Sequence, residues 1–234
     1  MNIIYSTHEF DISQDKNKNT IFTIDSKKEK SLSLFRSIVN SKIVNSSSIL
    51  YDEHKNILLK MKASSIQSFD QFKEKQKQIT GANKLPDKLL LNIIFSLTKQ
   101  IFYLLNKESK CFYKLVISNI LVIDDCKFIY LSNEHLKDVK ENKIHIYSPI
   151  SKNIGYLSPE LENAKSIPIL VNFKSLFYSL GLLILDNMRS NVETTINKEV
   201  NIEDQLFCIK DTKLYYFLKR CLSDNPEKRF LLYL

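Results

Sequence analysis

The stretch YKLVISNILVIDD, residues 113–125, holds the side chains best suited in this chain to chemistry with phosphate and a hard metal ion. Magnesium favours carboxylate and amide oxygens, and Asn119, Asp124 and Asp125 offer them within one short span. Lys114 lies just upstream of Asn119. An ammonium with a reference pKa of about 10.4 is protonated at neutral pH, so it cannot take a proton from an attacking hydroxyl. Asp124 and Asp125 read first as a turn, because aspartate bonds its own backbone and favours such positions.

Other chemistries find less support. With only three glycines, no glycine-rich phosphate cradle can be assembled. His8, His54, His135 and His145 stand apart from one another and from any cysteine at ligand spacing, so no metal site is expected from motif. Cys111, Cys126, Cys208 and Cys221 show no C-x-x-C pairing and no local activation as a nucleophile. A reducing, intracellular setting, cytoplasm or nucleus, is therefore expected, with no classical secretion signal. The net charge of +8 raises the question of a polyanion partner, but only four of the 34 basic residues are Arg (36, 189, 220 and 229). The lysines lie among acids, as in KKEK and KEKQK, which predicts a solvated surface and makes nucleic acid a poor candidate.

The elements that must position these residues follow from periodicity. Residues 1–62 alternate in short segments, NIIYS, TIFTID, SSSILYD and NILLKMK, which predict strands. SLSLFRSIV between them predicts one short helix. From residue 63 the character turns helical: SFDQFKEKQKQ, then a long helix starting at Pro86-Asp87 with Leu90, Ile94, Leu97, Ile101 and Leu104 on one face. Its polar interruptions at Asn92, Ser96, Thr98, Lys99 and Gln100 argue against a membrane span. NILVID and KFIYLS predict a hairpin around DDC, followed by a loop-rich stretch to about residue 156. NFKSLFYSLGLLILDNM predicts a central helix, and TKLYYFLKRCLSDNPEKRF an amphipathic one closed by Asn225-Pro226. Strands first and helices after is an α+β class.

The order of these pieces resembles the protein kinase fold. The family's H-R-D-L-x-x-x-N loop falls on residues 112–119, keeping Leu115 and Asn119 and placing Lys114 at the base position. Asn106 stands at the helix-end His. Residues 156–160, YLSPE, resemble Y-x-A-P-E, with Pro159 and Glu160; Ser179-Leu180-Gly181 resembles S-x-G; and CLSDNPEKR resembles C-L-x-x-D-P-x-x-R, with Arg229 last. Asn40 to Val44 sit where the family has H-P-N-I-V, with Met61 as gatekeeper and Met61, Ala63 and Asn119 lining the cleft.

The resemblance implies a two-lobed fold, with a reduced β-rich N-lobe over 1–62 and a helical C-lobe over 63–234, together one kinase-like domain. It also implies missing chemistry, since phosphoryl transfer needs a base, metal-binding acids and a lysine–glutamate pair. The D-F-G element falls on Ser132-Asn133-Glu134, the helix glutamate on Ser31, and Leu176 replaces an Asp. Few residues precede Asn40, so loss or shortening of a strand or of the third-strand lysine is expected. Lys27, Lys28 and Lys30 read as surface charges. Glu160 and Arg229 are the implied buried pair. A pseudokinase follows: a regulatory module binding a protein partner, such as an active kinase or its substrate, with no cofactor. The alternative is a divergent Ser/Thr-type kinase using ATP and magnesium through Glu134, Asp124 or Asp125. A third is a basic module for nucleic acid or anionic lipid.

Overall fold

The computed structural model describes residues 2–15, 20–27, 31–53, 56–189 and 202–231; Lys28, Lys30 and His54 lie outside them. It is a mixed α+β structure with three antiparallel sheets.

The first sheet contains β1 (Asn2–Ser6), β2 (Phe10–Gln14), β3 (Ile21–Ser26), β4 (Ser47–Tyr51) and β5 (Ile57–Lys62), in the order β1-β2-β3-β5-β4. Of the two losses expected, a strand or the third-strand lysine, five strands are present and the third, IFTIDS, contains no lysine. The strand overlooked was β2. Its sequence, FDISQ, runs into a polar stretch, yet Phe10 and Ile12 are buried at the two-residue period of a strand. Helix α1 (Leu32–Asn40) follows β3 and turns Leu34, Phe35 and Ile38 inward. Its Ser37 is buried with them.

Past Lys62 the chain changes sheets. Strand β6 (Ile66–Ser68) pairs with β8 (Ile120–Ile123), which pairs in turn with β9 (Lys127–Tyr130). Ser68 caps α2 (Phe69–Thr80) in a reciprocal box with Gln71, and Gly81 ends it in the left-handed conformation. Helix α3 (Asp87–Glu108) packs on α1 and β9. By length and composition it could cross a membrane (mean hydropathy 1.4), but half of that window is buried inside the structure. Its buried polar residue Gln100 explains why: the side-chain amide donates to Tyr130 O at 2.9 Å and accepts from Tyr130 N at 2.9 Å, as a neighbouring strand would. It also donates to Ser37 Oγ at 3.2 Å. One glutamine thus ties α3 to α1 and β9.

The stretch read as loop to about residue 156 contains two strands, β10 (Leu136–Lys140) and β11 (Lys143–Ile146). With β7 (Lys110–Phe112) and β12 (Ile169–Asn172) they form a four-stranded sheet, β12-β11-β10-β7. The signal was short: β11 buries only Ile144 and Ile146, and the β10–β11 turn uses Glu141 and Asn142 at positive φ, without glycine. The remaining helices are α4 (Pro159–Glu162), α5 (Ser175–Met188), α6 (Ile202–Leu206) and α7 (Lys213–Cys221). Helix α5 is buried along nearly its whole length and packs against α3 and α7.

Candidate functional site

Lys114, Asn119 and Ser132–Glu134 come together beneath the β1–β2 turn. The turn is built by Thr7, whose Oγ1 accepts from Phe10 N (2.9 Å) and Glu9 N (3.2 Å). Lys27 braces it, pairing with Asp11 at 2.7 Å and donating to Thr7 O at 2.8 Å. Held this way, the Glu9 side chain points inward and is 1% exposed.

Its carboxylate accepts the backbone amides of Asn133 (2.5 Å) and Glu134 (3.0 Å), with Ser132 Oγ at 3.5 Å. Burying an ion is costly unless hydrogen bonds replace its water. Two aligned amides provide them. Asn133 Nδ2 in turn donates to Ser31 Oγ at 2.6 Å, and Ser31 hydrogen-bonds Ser26 at the end of β3. A polar chain therefore runs from the turn, through residues 132–134, to the start of α1. No motif pointed to Glu9; an acid in a polar turn carries no signal until the partner segment is placed beside it.

The floor is neutral and tightly bonded. Tyr130 accepts from Val116 N at 3.1 Å, and its hydroxyl lies 2.6 Å from His135 Nδ1. Burial, reinforced by the charges of Lys114, Lys137 and His8, pushes the His135 pKa down to about 3. The imidazole is then neutral near pH 7 and shares this hydrogen bond with the phenol. Burial likewise pulls Lys114 below the usual ammonium range, against the opposing charge of Glu134. Lys114 is 5% exposed, with Nζ 5.9 Å from the Tyr113 ring centre. Asn119 bonds locally: its amide N–H donates to Val116 O at 3.1 Å, and its side chain bonds Tyr130.

Between roof and floor remains a cavity of about 10 Å³, lined in part by Tyr5, Phe10, Ile12, Asn119, Leu121 and Leu131. That is roughly the space of one water. Small-molecule sites occupy about 300–1,000 Å³. Of the three residues expected to line a cleft, Asn119 lines this cavity, whereas Met61 and Ala63 do not and are buried in the core. Tyr5 crosses the gap, its hydroxyl donating to Ser118 O at 3.3 Å.

Asp124 and Asp125 are spent elsewhere. Both sit at positive φ in the β8–β9 turn, about 16–20 Å along the chain from Asn119 at 3.3 Å per residue. Asp124 accepts from Ser64 N (2.7 Å) and Oγ (2.8 Å) and pairs with Lys127 at 2.8 Å. Although burial works against it, these bonds hold its carboxyl below the usual range. Asp125 binds Gln67 (2.6 Å) and Lys75 (2.7 Å).

Glu160 and Arg229 do meet. The guanidinium donates to both Glu160 oxygens at 2.6 and 3.0 Å, and to Ser223 O and Asp224 O at 2.6 and 3.0 Å. Arg229 is fully buried over the Tyr178 ring, and Ser175 Oγ donates to the same carboxylate at 2.8 Å. Pro159 begins α4 at its first turn and so delivers Glu160. Gly181 lets α5 approach α7: an added Cβ would lie 2.9 Å from Cys221 Cβ. Leu176 is buried in the same helix.

No protein-family model matches this chain, and no curated protein matches it.

Proposed function

We propose that the chain is a pseudokinase: a two-lobed, protein-kinase-like scaffold, divided near residue 63, that binds a protein partner and transfers no phosphate. Several features support the scaffold. A five-stranded sheet with its helix after the third strand precedes the helices, and the Glu160–Arg229 pair joins the YLSPE segment to the C-terminal CLSDNPEKR segment.

The observation that carries the silent cleft is Glu9. Its carboxylate covers the amides of Asn133 and Glu134, in the segment that by resemblance would hold magnesium. In the metal-free chain a nucleotide's phosphates would meet the Glu9 carboxylate there, beside a cavity of about 10 Å³. The Lys114 shift is in the direction that favours a basic amine, yet Glu134 opposes it. Protein binding is supported by an apolar groove of about 310 Å³ lined by Ile150, Leu161, Ile167 and Ile169, where Ile167 is 47% exposed.

The deciding experiment combines ATP, ADP and GTP with magnesium or manganese in a thermal-shift panel and a radiolabelled transfer assay. The expected result is no shift and no transfer. Transfer abolished by a cleft substitution would overturn the proposal in favour of a divergent kinase.

A further inference from the structure

The turn that closes the cleft also gathers three donors from two segments. His8 Nε2 lies 3.4 Å from Glu9 Oε1 and 3.5 Å from Glu134 Oε2, and all three donor atoms fall within 4.8 Å of one another. Zinc bonds of about 2.0–2.2 Å at tetrahedral angles set neighbouring donors roughly 3.3–3.6 Å apart. Both nitrogen–oxygen edges already have that length.

The donor chemistry agrees. One imidazole and two carboxylates make an open zinc site whose fourth position goes to water, whereas imidazole is a poor partner for magnesium. Glu9 is held in place by the amides of Asn133 and Glu134, which orient its carboxylate before any metal arrives. The charge is also unbalanced: among the described residues neither Glu9 nor Glu134 forms an ion pair with Lys or Arg. Lys114 acts on Glu134 through its field only. A divalent cation would neutralise both carboxylates together.

We propose that His8, Glu9 and Glu134 bind one zinc ion, which fastens the β1–β2 turn onto the 132–134 segment. His8 and Glu134 have exposed side chains, 62% and 54%, so replacing either leaves the core untouched. Glu9 is buried and would not make a clean test. The full chain, stripped with chelator, is titrated with zinc by calorimetry and with cobalt(II) in the visible range. The expected result is one zinc per chain, a higher thermal midpoint with zinc, and the intense cobalt absorption of a four-coordinate site. His8→Ala and Glu134→Gln should each weaken zinc binding about tenfold or more and remove that absorption, with unchanged midpoints without metal. No saturable binding up to about 100 μM zinc, or wild-type binding by both variants, would overturn the site. The titration contains no nucleotide, so its failure is distinct from failure of the silent-cleft proposal.

Discussion

Arg229 gathers four donor contacts, which end on Glu160, Ser223 and Asp224. Removing one partner of such a buried pair leaves the other charge without compensation, which costs about 3–5 kcal/mol. Arg229→Ala or Glu160→Ala should therefore lose about that much in urea denaturation, and Arg229→Lys should not restore it, because an ammonium lacks the planar fork. The pH dependence has a definite sign. Burial raises the Glu160 pKa, but the Arg229 and Ser175 hydrogen bonds outweigh it, so the folded value lies below the usual one. Its contribution is then complete above the unfolded carboxyl value of about 4.3 and fades as pH falls through the folded value. Arg229→Met should flatten that acid limb in denaturation curves collected between about pH 2 and 6; an unchanged limb would assign the acid loss to other carboxylates. This pair was readable in advance because two short motifs, far apart in the chain, named both partners. Glu9 was not, since its partners are backbone amides, which no residue type advertises.

Among the elements, α5 depends on close approach. Alanine is favoured over glycine by about 1 kcal/mol in a helix interior, but at Gly181 the new methyl would press on Cys221 Cβ at 2.9 Å and on Leu222. Overpacking of this kind costs about 1–3 kcal/mol. Gly181→Ala should thus destabilise the protein despite its better propensity, as a lower urea midpoint with an unchanged slope; a raised midpoint would mean that α7 yields freely. Long periodic elements such as α3 and α5 were legible because an apolar face repeated over several turns leaves few alternatives. Strands β2, β10 and β11 were not, because β2 and β11 bury only two side chains each and β10 has only half-buried and exposed ones. The polar positions of α3 were taken as arguing against a membrane span, but their use was hidden: Gln100 is a strand surrogate for Tyr130, a contact across 30 residues.

At the scale of the whole molecule, the proposed function turns on the seam between the first sheet and the rest. Tyr5 and Glu9 descend from the roof, Ser31 and Asn133 bridge to α1, and the cavity lined by Tyr5, Phe10 and Asn119 has room for about one water. The α+β class could be read from patterning, whereas the seven strands described after residue 63 interrupt the expected run of helices, and the contact across the seam depends on where a five-residue strand and a three-residue turn are set against a distant segment. Ligand binding to the folded state at about 100 times Kd would add about 2.7 kcal/mol. The most direct test of the proposed silent cleft is therefore the thermal midpoint of the full chain with millimolar ATP and magnesium. The silent scaffold predicts a midpoint unchanged from buffer, and a reproducible rise of several degrees with ATP would contradict it.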